Sequence, residues 1–83
     1  MGLAEVLGAA GVSLILVAFL ANLAGRLAGH SPLYQSLNAI GAALACISSL
    51  LIGFWPFVVL EGTWCLAAVL ALLNVPPFAP ARL

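Results

Sequence analysis

Chemistry can reside in few places in this chain, because its 83 residues include only two acidic, two basic and one histidine side chain. Glu61 is the most conspicuous. It lies inside the apolar stretch PFVVLEGTWCLAAVLALL, five positions after Pro56. On a helix rising about 1.5 Å per residue this is roughly 7–8 Å below the helix end. An acidic group at such a depth is costly, usually faces a partner or a cavity, and marks a functional site by default. Three roles are open to it: exchanging protons coupled to a solute, serving as a fixed anion for a cationic or hydroxyl-rich ligand, or snorkelling to the surface or bonding a neighbouring helix.

The other chemistry-bearing residues offer less. Cys46 and Cys65 both fall in apolar stretches, where a thiol usually packs as a small apolar group, although their similar depth makes a bridge between neighbouring helices conceivable. No His and Cys ligand spacing supports a zinc site, so no metal or other cofactor is expected. No nucleophile with a base beside it is visible, which argues against an enzyme. His30 neighbours a proline turn and reads as a solvated side chain or a pH-sensitive gate. The formal charge is zero and no polybasic arm exists, which argues against a nucleic-acid partner.

What must position these residues follows from composition. With 66% apolar and 5% charged side chains the chain lies outside the range of soluble domains. The expected architecture is an all-α membrane domain over 1–83, three transmembrane helices forming one bundle unit. The spans are about 6–24, 33–52 and 56–73, near the roughly 20 residues that cross a bilayer. Residues 74–83, with Pro76, Pro77 and Pro80, form a short extended tail. Glu5 stands where a secretory signal would be positive, so the first stretch is read as a retained span.

The spans carry their polar groups in a pattern. In the first, Ser13 lies near the middle and Asn22 near the end, while Gly8 and Gly11 admit a close helix neighbour. The link GRLAGHSP follows, and Ser31 with Pro32 forms a capping pair for the second span. There Gln35, Asn38, Ala42, Ala45 and Ser49 recur at helical spacing on one stripe, and Gly41, Ala45 and Ser49 repeat every four residues. That face is expected against protein or water. GFWP makes a tight second link, with Phe54, Trp55 and Phe57 as an interfacial belt. Arg26 and Arg82 fall on one side, which predicts the N-terminus outside and the C-terminus in the cytoplasm.

By counted depth, Glu61 lies level with Ser48 and Ser49 and within reach of the level of Ser13, with Thr63 and Trp64 just deeper. Asn22, Gln35 and Asn38 form a second polar set nearer the cytoplasm. The expected solute pathway is Glu61, Asn38, Ser49 and Ser13 with Trp64 as a wall, and Asn22 and Gln35 form an inner polar layer.

Three spans in so short a chain, a short basic first link and a polar residue five positions after the turn proline resemble the SemiSWEET group of the PQ-loop transporter superfamily. The stretch YQSLNAIGAALACISSLLIGFWPFVVLEGTW is similar, more closely, to uncharacterised bacterial three-helix permease-like domains. The resemblance implies a unit that dimerises, two parallel protomers enclosing a central pathway for a small solute. It also implies where the chain departs from the pattern. Ala21 and Asn22 replace a Pro-Gln hinge, Ser49 falls where sugar carriers have an aromatic ring, and Glu61 falls on a pocket asparagine. The function expected is therefore an inner-membrane homodimeric carrier of a small polar solute, its partners being a second copy of itself, the lipid bilayer and that solute. The alternatives are a small subunit or regulator docked on a larger membrane complex, and an ion- or proton-conducting oligomer.

Overall fold

The computed structural model describes residues 2–74. The expected tail lies outside the described residues except for Asn74, and so does Arg82. Three helices account for the described chain: α1 (Leu3–Leu23), α2 (Pro32–Ile52) and α3 (Trp55–Leu72). Each is long and apolar enough to cross a membrane, as expected of a membrane protein.

The helix ends are set by local chemistry. α1 starts three residues before the expected span because the Glu5 carboxylate accepts the Gly2 N–H at 2.9 Å, satisfying a free amide. It stops at Ala24 and Gly25, the latter at φ +74. Ser31 Oγ accepts the Tyr34 N–H at 3.0 Å, with Pro32 in the first turn, so the capping pair starts α2 as expected. At its far end Gly53 takes φ +70, and the Phe54 N–H reaches back to the Ser49 carbonyl at 3.0 Å. This is the glycine close that turns a helix without unsatisfied carbonyls. Trp55 and Pro56 open α3 directly afterwards.

The helices form a layer with α2 in the middle, not a closed three-cornered bundle. α1 and α3 each pack on α2, while no Cα of α1 comes within 8 Å of a Cα of α3. The unit measures 44 × 26 × 15 Å, so its thinnest dimension is little more than one helix diameter.

The interior of this layer is built of small residues. The buried apolar side chains among the described residues are Ala18, Ala39, Ala42, Ala45, Ala68 and Ala71. Larger ones, such as Leu16, Phe19, Leu50 and Leu66, point outward. In water that distribution would be unstable. In a bilayer, lipid tails solvate leucine as well as protein does, and helices gain instead from close backbone approach.

α1 meets α2 at such an approach. A Cβ on Gly41 would lie 2.7 Å from the Gly11 carbonyl oxygen, and one on Gly8 would lie 2.8 Å from Ser48 Oγ. The two glycines expected to admit a neighbour do so, and the neighbour is the Gly41 and Ala45 side of α2. Ser48 Oγ then donates to the Ala4 carbonyl at 2.6 Å, fixing the vertical register of the two helices.

A candidate solute site on the seam between α2 and α3

The stripe expected on α2 is buried: Asn38, Ala42, Ala45 and Ser49 all lie inside, and Gln35 is half-buried. Two neighbours share it. Gly41 and Ala45 turn to α1, whereas Asn38 and Ser49 bond across to α3.

Ser49 Oγ donates to Glu61 Oε1 at 2.7 Å. This pairing matches the depth count, and its level explains how a carboxylate is tolerated. Glu61 starts six residues into α3, about 9 Å from the helix end, but helical side chains lean toward the N-terminus of their helix. Ser49 lies three residues from the end of α2, about 4–5 Å down. The carboxylate is thus drawn toward the second link, half-buried rather than enclosed. The described arginine and histidine side chains, Arg26 and His30, are both exposed in the first link at the opposite end of the layer.

Deeper along the seam, Trp64 Nε1 donates to Asn38 Oδ1 at 3.0 Å, and Asn38 Nδ2 donates to the Tyr34 carbonyl at 2.8 Å. Asn38 therefore ties α3 to the α2 backbone. Asn38 and Ser49 stand about three turns apart on α2, whereas Glu61 and Trp64 are only about one turn apart on α3. Glu61 and Trp64 must diverge to reach them, leaving small residues between the two bonds.

Beside the Asn38 bond the seam opens into a groove of about 460 Å³, within the range of small-molecule sites. α2 supplies Tyr34, Gln35 and Asn38, and α3 supplies Thr63, Trp64 and the alanines 67, 68 and 71. Thr63 Oγ1 donates to the Val59 carbonyl at 2.7 Å, satisfying its hydroxyl hydrogen within its own helix. The opposite flank of the seam carries a second groove of about 400 Å³, almost wholly apolar, lined by Cys46 and Cys65 among others. Both thiols are free, and each contacts a carbonyl of the facing helix: Cys46 that of Val58 at 3.7 Å, Cys65 that of Ala39 at 3.4 Å. Neither is joined to the other, and they hold the helices together as packing groups.

The expected pathway residues separate into three groups. Asn38 and Trp64 meet at the larger groove, where Gln35 of the expected inner layer also lies. Glu61 and Ser49 pair on the same seam but do not line that groove. Ser13 joins neither group: it is exposed on α1, on the far side of α2 from α3. Equal depth does not bring Ser13 to Glu61, because the middle helix stands between them.

Asn22 and Gln35, the expected inner polar layer, have a nearer task. Asn22 Nδ2 donates to the Leu27 carbonyl at 2.8 Å and Gln35 Nε2 to the Gly29 carbonyl at 3.1 Å. Both tie down the link over residues 24–31, whose irregular backbone needs partners. Tyr34, which the sequence reading did not single out for the pathway, lines the groove. Its spacing of four from Asn38 placed it on the same face, and that signal was available.

Layer and groove together define a class, a small three-helix membrane unit with a lateral groove between two of its helices. Within that class the chain belongs to an uncharacterised protein family, whose model matches residues 4–77. No curated protein and no solved structure matches it.

Proposed function

We propose that the chain is the protomer of an inner-membrane homo-oligomeric carrier for a small polar solute, as its resemblance to the SemiSWEET group implies. The supporting observation is the groove between α2 and α3, which places amides and hydroxyls from two helices at membrane depth. The groove is lined mostly by apolar side chains, and the few polar groups it leaves facing hydrocarbon are unfavourable, because lipid offers no hydrogen bonds. A second copy laid against the α2 and α3 face would close it and complete the pathway. Glu61, paired with Ser49 toward the second link, then stands at one mouth. In this reading the N-terminus and the second link face outward, and the first link with Arg26 faces the cytoplasm.

The test is uptake into proteoliposomes from a panel of small polar solutes, with and without a pH gradient, alongside the oligomeric mass in detergent. Saturable uptake by an oligomer supports the carrier. Loss of its pH response in Glu61→Gln would give the carboxylate the proton-coupling role. A folded monomer without uptake of any solute would contradict the carrier. It would favour a subunit docked on a larger complex, for which the thin layer with two open faces is the supporting feature.

A further inference from the structure

The shape and chemistry of the larger groove narrow the solute class, resting on the carrier reading above. Two aromatic side chains line the groove, Tyr34 supplied by α2 and Trp64 by α3. They make no ring contact with one another; the ring contact among the described residues is the edge-to-face pair of Phe54 and Phe57. Ala67, Ala68 and Ala71 lie on the same groove surface, and side chains this small leave room for a ring.

The polar atoms of Trp64 and Asn38 are already committed. The indole N–H is held by Asn38 Oδ1 at 3.0 Å, and the Asn38 amide is itself anchored to the Tyr34 carbonyl. Trp64 is therefore fixed in orientation and offers a solute its ring surface rather than its donor; it lines the groove and is 48% exposed. The remaining lining polar groups are neutral: the Tyr34 hydroxyl, the Gln35 amide, whose nitrogen already donates to the Gly29 carbonyl, and the Thr63 hydroxyl, whose hydrogen goes to the Val59 carbonyl and whose oxygen is left to accept. No charged side chain lines the groove. An ionic solute would enter without a counter-charge, which burial penalises strongly. Two aromatic walls favour a flat solute by stacking.

We propose that the groove takes a planar, uncharged heteroaromatic solute with hydrogen-bonding groups on its rim, slotted between Tyr34 and Trp64. Asn38 is a positioning residue that holds the indole.

The protein supplies its own probe. In Trp55→Phe the remaining tryptophan is Trp64, so its emission reports the groove. The purified oligomer is titrated with nicotinamide and adenine as planar neutral probes, nicotinate as a planar anion, and glucose as a non-planar polyol. The expected result is a saturable emission change with nicotinamide or adenine, at least tenfold weaker with nicotinate and with glucose. Tyr34→Leu in the same background should weaken the planar probes about tenfold while leaving folding and oligomeric mass unchanged. Asn38→Ala, compared at equal folded amounts, should weaken the response to the planar probes about tenfold, a readout that a merely structural role for Asn38 would leave unmoved. A response to glucose equal to that of the planar probes overturns the slot. So does the absence of any response in a protein that takes up another solute in proteoliposomes, and in both cases the carrier reading survives. A folded protein with neither response nor uptake overturns both.

Discussion

Where α2 meets α1, glycine faces glycine and no room remains; where it meets α3, side chains bridge the gap and grooves flank both sides. The first seam places Gly41 against Gly11 and Gly8 against Ser48, close enough that a methyl group would collide. The second is spanned by Ser49 to Glu61, Trp64 to Asn38, and two thiol contacts. A glycine seam leaves no volume for a ligand and little freedom to slide. A seam held by a few hydrogen bonds can exchange them, since such bonds in membranes average only about 0.6 kcal/mol each. The α1 seam is thus closed to any ligand, and the α3 seam is the one to which the proposed carrier assigns its solute.

The comparison can be broken most severely at Gly11. Gly11→Val would drive side-chain atoms into the Gly41 carbonyl, and overpacking of this kind costs about 1–3 kcal/mol or more. Detergent-solubilised protein should unfold at markedly lower denaturant, and an unchanged midpoint would mean the α1 seam is looser than described. Asn38→Ala comes next. It strands the indole N–H of Trp64 away from water, at a cost of about 1–2 kcal/mol, and should alter Trp64 emission in a Trp55→Phe background. Ser49→Ala removes one donor to Glu61 and should cost about 0.6 kcal/mol by the same unfolding assay. Ser13→Ala should change stability by less than about 0.5 kcal/mol and leave uptake intact, because the side chain is exposed and far from the α3 seam. Loss of uptake there would return Ser13 to the pathway.

The sequence carried the elements and part of the pairing. Long apolar stretches, the Ser31 and Pro32 cap and the glycines marked three helices to within three residues at each end. The small and polar stripe on α2 correctly marked its buried face, and depth counting put Glu61 beside Ser49. What periodicity cannot say is which neighbour a stripe faces. α2 divides its stripe between two helices, so Gly41 and Ser49, equivalent by spacing, serve different seams. The same limit misplaced Ser13, since depth is a coordinate along the helix and carries no information about the order of helices across the layer. Asn22 and Gln35 read as a polar layer, yet each bonds a carbonyl in the adjacent link. Sequence spacing shows amides at an interface, but it does not show which backbone groups the turn has left unpaired.

The account is tested most directly by comparing one substitution on each seam for effect on uptake. Asn38→Ala and Ser48→Ala each remove one interhelical hydrogen bond, the first at the groove and the second between α1 and α2. Reconstituted side by side at equal folded amounts, Ser48→Ala should keep the saturable uptake of wild type, while Asn38→Ala should lose most of it. Equal retention by both, or loss confined to Ser48→Ala, would contradict the assignment of the solute site to the α2 and α3 seam.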